Sequence, residues 1–326
     1  MAVAPAQRTR TFRTAVLAAA REVALEQRAV PEPGPGQVRV RIEGSGVCGS
    51  DLPVWEGRDW FDYPREPGAP GHEGWGVVDA VGPGVDSVEP GVRVASLGTN
   101  AYAEYDLVDA AAVVPLPSAL DGAAFPGEAL GCAVNVVRRS AIEAGQTVAV
   151  VGAGFLGSVV TQLVVRAGAR VMAVSRRAAA LRLARVMGAD EAIALDDNPR
   201  ARIEALTGGA LCDRVVEAAG KQETLDLAGA LTRVRGRLVI AGYHQDGRRS
   251  VDMQSWNWRG LDVINAHERD PAVYAAGVAQ AARMVAAGEL DPEPLYTHRF
   301  PLDRLAPALA TAAARPDGFM KALVLA

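Results

Sequence analysis

One glycine-rich segment, GAGFLG at residues 152–157, most constrains what this chain can fold into. It directly follows the apolar run Thr147–Val151, and a helix-like segment at 155–167 and a strand-like segment at Arg170–Val174 come after it. A continuous apolar run is typical of a strand covered on both faces, and successive parallel strands need a helical connection between them. The sequence therefore predicts a strand–turn–helix–strand unit in a parallel sheet.

The alternation of strands and helices continues along the chain. Further short strands are predicted at Ile193–Leu195, Arg214–Glu217, Arg237–Ala241 and Asp262–Ile264, and helices at Ala178–Met187, 199–206 and 222–233. Strands that alternate with helices indicate a doubly wound parallel sheet, so the fold class is predicted to be α/β.

The first third of the chain has a different pattern. Val38–Ile42 alternates apolar and polar residues between glycine-rich turns, and Gly76–Val81 and Gly91–Ala95 are similar. Residues Asp59–Pro70 are rich in proline, charge and aromatic rings, which is typical of a loop. This part is predicted to be mostly β with many turns.

The division into domains follows from this change of pattern. A chain of 326 residues can hold two domains, each with its own core. We predict a catalytic domain at 1–128 and 269–326 and a dinucleotide-binding domain at 129–268. Residues 302–314 are predicted to be helical, and Met320–Leu325 is predicted to be a final strand that returns to the first domain.

Composition excludes several classes of function. The net charge is −4 and no basic block is present, so no nucleic-acid partner is expected. No apolar stretch is long enough for a membrane span, and Ala15–Ala20 is too short for a signal peptide and is followed by Arg21 and Glu22. Three scattered cysteines argue against a disulfide framework, so we expect a cytoplasmic protein.

The GAGFLG segment has the spacing of a dinucleotide-binding turn. Gly152 would permit the tight turn, Gly154 would let the backbone approach a pyrophosphate, and Gly157 would let the helix pack close to the strand. Phe155 and Leu156 complete the turn and open the helix, whose N-terminus would face the phosphate charge. The alternative is a glycine-rich turn that binds no ligand.

The end of the second strand bears on the choice of cofactor. Domains that select NAD usually place Asp or Glu there to hold the ribose 2′-OH. This chain has Ser175, Arg176 and Arg177, which offer a hydroxyl and two guanidinium groups to a 2′-phosphate. We therefore predict NADP in preference to NAD; the alternative is that both arginines are simply solvated.

A second set of residues could bind a metal ion. The set is Cys48, His72, Glu73 and Glu128, in the segments GVCGSD (46–51), PGHEGWG (70–76) and GEALGC (127–132). A thiolate, an imidazole and two carboxylates can build a catalytic zinc site. A zinc site upstream of a dinucleotide-binding turn predicts an alcohol or polyol dehydrogenase.

These motifs resemble the zinc-containing medium-chain dehydrogenase/reductase family over nearly the full length of the chain. The matching segments are CGSD (48–51), GHE (71–73), AYAEY (101–105), GEALGCAVN (127–135), GAGFLG (152–157), VVEAAG (215–220), RLVIAG (237–242) and YTHRF (296–300). CGSD and EALGCAVN are similar to the polyol, sorbitol and aminocyclitol branch. The resemblance implies a GroES-like catalytic domain, a Rossmann cofactor domain, and a homodimer or homotetramer.

The resemblance also implies roles for the metal-binding residues. Cys48 and His72 would be zinc ligands, and Glu73 would be a ligand or a nearby carboxylate that exchanges with water. Glu128 would take the place that a cysteine fills in the simple alcohol dehydrogenases. Cys132, four residues later, is the alternative ligand, because the two would share one face of a helix.

Two further residues would support the chemistry. Asp51 would accept a hydrogen bond from the second ring nitrogen of His72, and Ser50 would pass on the substrate's proton. Pro53 stands where many alcohol dehydrogenases have a relay histidine, so the proton needs another route. The family's lobe of four cysteines is missing, since Val94–Ala101 bridges that region, and we expect one catalytic zinc and no structural zinc.

The implied reaction is hydride transfer between a nicotinamide cofactor and a secondary alcohol or ketone, with zinc polarising the substrate oxygen. A polyol, sugar or aminocyclitol-like substrate is expected, with Trp55 and Trp60 either shaping its pocket or only covering the core. The alternatives are a zinc-free quinone or enoyl reductase on the same fold and a catalytically inactive nucleotide-binding protein.

Overall fold

The computed structural model describes residues 10–326. The chain forms two compact units. The first comprises the residues up to Glu128, Arg299–Ala313 and Ala322–Ala326, and the second comprises Ala129–His298 and Ala314–Lys321.

The strands of the described residues are β1 (Thr11–Ala19), β2 (Glu22–Ala29), β3 (Gln37–Gly46), β4 (Glu73–Val81), β5 (Arg93–Ser96), β6 (Tyr105–Asp109), β7 (Val113–Pro115), β8 (Thr147–Val151), β9 (Arg170–Ser175), β10 (Glu191–Ala194), β11 (Cys212–Glu217), β12 (Thr232–Ile240), β13 (Asp262–Asn265), β14 (His298–Pro301) and β15 (Ala322–Leu325). The α-helices are α1 (Asp51–Glu56), α2 (Gly127–Ser140), α3 (Phe155–Arg166), α4 (Ala178–Val186), α5 (Pro199–Leu206), α6 (Gln222–Leu231), α7 (Met253–Arg259), α8 (Pro271–Ala286) and α9 (Leu305–Ala314).

Antiparallel pairing around β3 organises the first unit. In the order β14-β15-β3-β4-β5-β7, β3 pairs with β15 and β4, and β6 also pairs with β3. Val38, Val40 and Ile42 are buried together with Val78 and Val94, which explains the apolar alternation in the sequence. The predicted strand that returns to the first domain is confirmed, because β15 is hydrogen-bonded to β3.

A parallel sheet organises the second unit. Its strand order in the described residues is β10-β9-β8-β11-β12-β13, and every neighbouring pair is parallel. The residues Val148–Val151 of β8 are at most 1% exposed, as expected for a strand covered on both faces. The order reverses between β8 and β11, which is where such sheets bind dinucleotides. The predicted α/β fold class, with a mostly β domain and a doubly wound sheet, is confirmed.

The sequence analysis did not predict eight of the elements in the described residues: β1, β2, β6, β7, β14, α1, α7 and α8. The strand β2 is exposed along most of its length, and its one strand partner in residues 10–326 is β1. It therefore lacks the apolar alternation that marks a buried strand. The helix α8 carried a readable signal, because Asp270 caps its N-terminus and Pro271 is its first residue.

The second unit extends beyond the predicted domain boundary at residue 268, as far as His298. The cause is α8, which packs closely on α2. A Cβ added to Gly131 of α2 would lie 2.6 Å from the side chain of Val278 on α8. Predicting α8 as a helix would have moved the boundary. Among the described residues, no helix has the length and apolar character needed to cross a membrane.

Candidate metal centre and cofactor-binding turn

Strand register brings the predicted metal ligands together. Gly46 at the end of β3 pairs with Glu73 at the start of β4, so the residues just beyond these strand ends, Cys48 and His72, are neighbours. The ligand atoms of Cys48, His72 and Glu73 all lie within 4.8 Å of one another. We call these three residues the donor group. Glu73 is buried, whereas Cys48 and His72 are partly exposed, so a ligand has access from one side.

The environment of His72 selects one tautomer of its ring. Its Nδ1 lies 2.8 Å from the carbonyl oxygen of Pro70, to which it donates, and 3.2 Å from Oδ1 of Asp51; carbonyl and carboxylate oxygens can act only as acceptors. Nδ1 therefore carries the hydrogen, and Nε2 keeps a lone pair for a metal ion. Asp51 is itself held in place, since its Oδ2 accepts from the backbone N–H of Cys48 and from the hydroxyl of Tyr102.

Acidic side chains surround the imidazole of the donor group. Burial lowers the pKa of His72, but Asp51 and Cys48 outweigh burial and raise that pKa well above its usual value. Burial, together with Asp51 and Glu73, also raises the pKa of Tyr102, which keeps its hydroxyl protonated and able to donate to Asp51. These acidic neighbours favour a positive charge at the ring, which a proton or a metal ion on Nε2 can supply.

Three other predicted site residues, Ser50, Glu128 and Cys132, are not members of the donor group. Ser50 Oγ lies 3.4 Å from Nε2 of His72. Glu128, in the first turn of α2, is partly buried and is not part of the three-residue group at the 4.8 Å spacing. The alternative ligand, Cys132, has its sulfur 3.1 Å from the hydroxyl oxygen of Tyr274 on α8.

A short loop stands where the family has its four-cysteine lobe. Between β5 and β6 the chain makes the hydrogen bonds Ala101 N–H to Gly71 O (2.8 Å) and Tyr102 N–H to Gly68 O (3.0 Å). These bonds hold the segment that precedes His72. Among the described residues, the donor group is the one cluster of metal-ligand side chains at this spacing. Cys212 is fully buried, and burial raises its pKa to about 12, so it is poorly suited to bind a metal.

The dinucleotide-binding turn has the geometry that its glycines predict. Gly152 has φ +107°, a left-handed conformation that favours glycine. A Cβ on Gly157 would lie 2.0 Å from the carbonyl oxygen of Gly152, so α3 can approach β8 only with glycine there. Gly154 has no atom within 4 Å of its ideal Cβ position, which leaves open space at the N-terminus of α3. Phe155 is the first residue of that helix and Leu156 the second. This space can receive a phosphate group.

Lys321 is a second feature of this turn that the sequence did not predict. Its ammonium group lies 4.7 Å from the ring centroid of Phe155, and this ring stacks on Tyr296 with centroids 6.1 Å apart. The lysine is 4% exposed, so a positive charge is buried beside the turn. Lys321 and Phe155 are far apart in the sequence, so their contact exists only in the folded chain.

The residues at the end of β9 have partners of their own. Arg177 donates to the carbonyl oxygen of Phe319, and burial followed by the charge of Arg315 lowers its pKa. Arg176 is exposed and pairs with Glu223 at 2.7 Å, a surface ion pair of little energetic weight. The backbone N–H of Arg177 donates to Ser175 Oγ at 3.3 Å. Arg176 is thus the more exposed of the two guanidinium groups.

Comparison with known proteins adds the family. Residues 34–118 match the alcohol dehydrogenase GroES-like domain, and residues 156–283 match the zinc-binding dehydrogenase domain, together more than half of the chain. Sorbitol dehydrogenase from Gallus gallus is 28% identical over 333 residues, covering 89% of this chain and 90% of that protein.

Two solved structures extend the likeness to the whole fold. An alcohol dehydrogenase from Escherichia coli CFT073 in complex with NADH has a TM-score of 0.86 at 26% identity, covering 97% of this chain and 99% of that one. A putative zinc-binding dehydrogenase from Sinorhizobium meliloti 1021 bound to NADP has a TM-score of 0.83 at 26% identity, covering 97% and 100%. The chain belongs to the zinc-containing medium-chain dehydrogenase/reductase family and is an alcohol dehydrogenase of that family, as its motifs predicted.

Proposed function

We propose that this enzyme transfers a hydride between NADP and a secondary alcohol or ketone of a polyhydroxylated small molecule, such as a polyol, a sugar or an aminocyclitol. The observation that carries the proposal is the donor group, in which a cysteine sulfur, an imidazole nitrogen and a carboxyl oxygen converge within 4.8 Å. When bound, zinc would polarise the substrate oxygen. The nicotinamide ring would exchange the hydride with the carbinol carbon.

The residues present fit a zinc ion. Cys48 and His72 offer sulfur and nitrogen ligands of the preferred kind, and the tautomer of His72 leaves Nε2 available. Glu128 or Glu73 would complete the protein ligands. The hydrogen bond between Cys132 and Tyr274 supports Glu128 over Cys132, because it gives the thiol a partner other than a metal.

The protein's own part in the reaction is to orient the substrate and to move its proton. Asp51 fixes the His72 ring, and Tyr102 and the backbone of Cys48 fix Asp51. The hydroxyl of Ser50, 3.4 Å from His72 Nε2, stands beside the donor group and would take up the proton of the substrate hydroxyl. Pro53 cannot continue this route, so water or the cofactor ribose would.

A polar substrate suits the residues that follow Cys48 and Asp51 in the sequence. Trp55 is 6% exposed and belongs to the core, which supports the interior-covering role for this residue. Trp60 is 60% exposed and contacts Phe61, and it remains available to a substrate. Glu56 and Arg58, which pair at 3.2 Å, add polar groups. The sorbitol dehydrogenase relative supports a polyol.

The preference for NADP rests on the end of β9, which carries Ser175 and Arg176 and no carboxylate. A 2′-phosphate would meet no negative charge at Ser175 and could recruit Arg176 from its exposed pair with Glu223. A solved relative binds NADP, and another binds NADH, so the local residues carry this part of the proposal.

The proposal is tested by metal analysis and a substrate panel. The purified protein is assayed with polyols, sugar alcohols and aminocyclitols, with NADP and NAD, by the absorbance of the reduced nicotinamide. We expect about one zinc per chain and a higher kcat/KM with NADP. Activity without metal would indicate a zinc-free reductase, and cofactor binding without turnover on any substrate would indicate an inactive binding protein.

A pair of variants tests the ligand choice. Glu128→Ala is expected to lower zinc affinity strongly, whereas Cys132→Ala should leave the zinc content unchanged. Loss of zinc in Cys132→Ala with retention in Glu128→Ala would contradict the assignment and place the thiolate at the metal.

A further inference from the structure

The carboxyl ends of β11 and β12 carry an unusual polar cluster on one side of the dinucleotide-binding turn. β8 carries the turn, and β9, its neighbour on one side, carries Ser175, where the adenosine half of a dinucleotide would lie. The other half must then extend to the opposite side, over β11 and β12. The argument rests on the proposed use of a nicotinamide cofactor.

Glu217, the last residue of β11, is a fully buried carboxylate at this edge. Its Oε1 accepts hydrogen bonds from the backbone N–H groups of Ala219 and Gly220, at 2.9 and 2.7 Å, and from the hydroxyl of Thr224 at 2.8 Å. Its Oε2 lies 3.0 Å from Nε2 of His244, in the loop that follows β12. One carboxylate therefore joins the loops after two adjacent strands.

Arg249 fixes the orientation of the His244 ring. Its Nε donates to Nδ1 of His244 at 2.8 Å, so Nδ1 carries no hydrogen and Nε2–H donates to Glu217. Arg249 also donates to the carbonyl oxygen of Gly220 at 2.9 Å. The imidazole is held in one tautomer between a donor and an acceptor.

The two loops are in close contact along their length. A Cβ on Gly242 would lie 2.3 Å from the backbone nitrogen of Gly220 and 2.5 Å from Oε2 of Glu217. Gln222 and Ser250 exchange two hydrogen bonds, at 2.7 and 3.0 Å, at the far end of the loop. The loop at 241–250 is thus fastened to the loop after β11 at both ends and in the middle.

The buried Glu217–His244 pair is weak evidence for a gain in folding stability, so we look for its role in the position of the loop. Burying a carboxylate beside an imidazole requires full hydrogen bonding, and apolar packing of similar volume is often as stable or more stable. The directional bonds of Glu217 and His244 define one loop conformation. Tyr243, directly before His244, is 66% exposed, so the fastened loop presents an aromatic ring at this edge.

We propose that Glu217, His244 and Arg249 are positioning residues that hold the loop at 241–250 as a preformed wall for the nicotinamide half of the cofactor. They act on the bound dinucleotide through the backbone and exposed side chains of that loop. The adenosine half, bound on the β9 side, does not depend on them.

Cofactor titration by calorimetry tests this role in the zinc-loaded protein. The probes are NADP and NAD, and the fragments adenosine 2′,5′-bisphosphate and ADP, which lack the nicotinamide half. We expect His244→Leu to weaken dinucleotide binding by about tenfold or more and fragment binding by less than about twofold. His244→Gln, whose amide can donate to Glu217, should recover most of the affinity.

Further variants and a control keep the test decisive. Glu217→Gln should show the same selective loss, Arg249→Gln a smaller one, and Glu204→Gln on the exposed surface of α5 none. Thermal unfolding checks that each variant is folded; if His244→Leu is not, the comparison of Glu217→Gln, which should lose dinucleotide affinity selectively, with His244→Gln, which should not, carries the test. Equal losses for dinucleotide and fragment, or no loss, would overturn the proposal. Wild-type protein that binds neither dinucleotide would instead refute the proposed function.

Discussion

The dinucleotide-binding turn and the donor group depend on the fold in different ways. The turn lies in one short segment, and its glycines define its geometry through a left-handed φ at Gly152 and close packing at Gly157. The donor group depends on the pairing of β3 with β4, because only the register that places Gly46 opposite Glu73 brings Cys48 to His72. A site of the first kind is robust to distant changes, and a site of the second kind depends on tertiary structure.

The largest expected effect follows from removing a ligand of the donor group. Cys48→Ala or His72→Ala should abolish zinc binding and lower kcat by about a thousandfold or more, because the lost metal supplies several kcal/mol of stabilisation to the reacting oxygen. Dinucleotide binding and the unfolding temperature should change little. Metal analysis, turnover and calorimetry on the same samples measure this, with Cys132→Ala as the matched cysteine control. Extensive unfolding would show that the metal site is structural.

The support of His72 by Asp51 should have the next largest effect. Asp51→Asn keeps an acceptor for Tyr102 and Cys48 but loses the charge beside Nδ1, so zinc affinity should fall about 10–100-fold. Competition with a chelator of known affinity measures it. Unchanged zinc affinity would mean that the carbonyl of Pro70 alone orients the ring.

A substitution in the dinucleotide-binding turn should have the opposite pattern, with weaker cofactor binding and unchanged zinc content. Gly157→Ala would place a Cβ 2.0 Å from the carbonyl oxygen of Gly152, and the overpacking strain of about 1–3 kcal/mol should weaken dinucleotide binding by about 10–100-fold. Zinc content should stay at the wild-type value. Loss of both zinc and cofactor in Gly157→Ala would contradict the claim that the turn and the donor group depend on the fold in different ways.

Cofactor choice should respond to single charges at the end of β9. Arg176→Ala should weaken NADP by about tenfold and leave NAD nearly unchanged, since a charge-assisted hydrogen bond contributes about 1.5–3 kcal/mol. Ser175→Asp should shift preference toward NAD. Arg177 is less informative, because it also bonds Phe319 and its loss would disturb packing. A wild-type preference for NAD in kcat/KM would contradict this reading of the turn.

The smallest effect on activity is expected at Asp106, a buried carboxylate of the first unit. Burial raises its pKa to about 6 from 3.8, despite hydrogen bonds from Asn100. The folded state therefore prefers the protonated acid, and stability is lost as pH rises from about 4 to about 6. Asp106→Asn removes this penalty and should raise the free energy of unfolding above pH 6 by about 1–3 kcal/mol, with the gain vanishing below pH 4. Denaturant unfolding at pH 4 and 8 measures it, and kcat should not change.

The sequence predicted what local patterns encode. Val38–Ile42, Val148–Val151 and GAGFLG all lie where their periodicity or glycine spacing placed them. It did not predict tertiary contacts that no motif marks. Lys321 reaches the Phe155 ring, and Glu217 meets His244, only because the sheet brings distant segments together. The helix α8 is an element that the sequence analysis missed although the sequence contains a local signal for it, the N-cap Asp270 followed by Pro271.

The most direct test of the account is the anomalous scattering of zinc in crystals of the active enzyme. The account predicts a single peak per chain, about 2.0–2.4 Å from both Sγ of Cys48 and Nε2 of His72. A second peak on the chain, a peak away from these two atoms, or no peak in crystals of demonstrably active protein would contradict it.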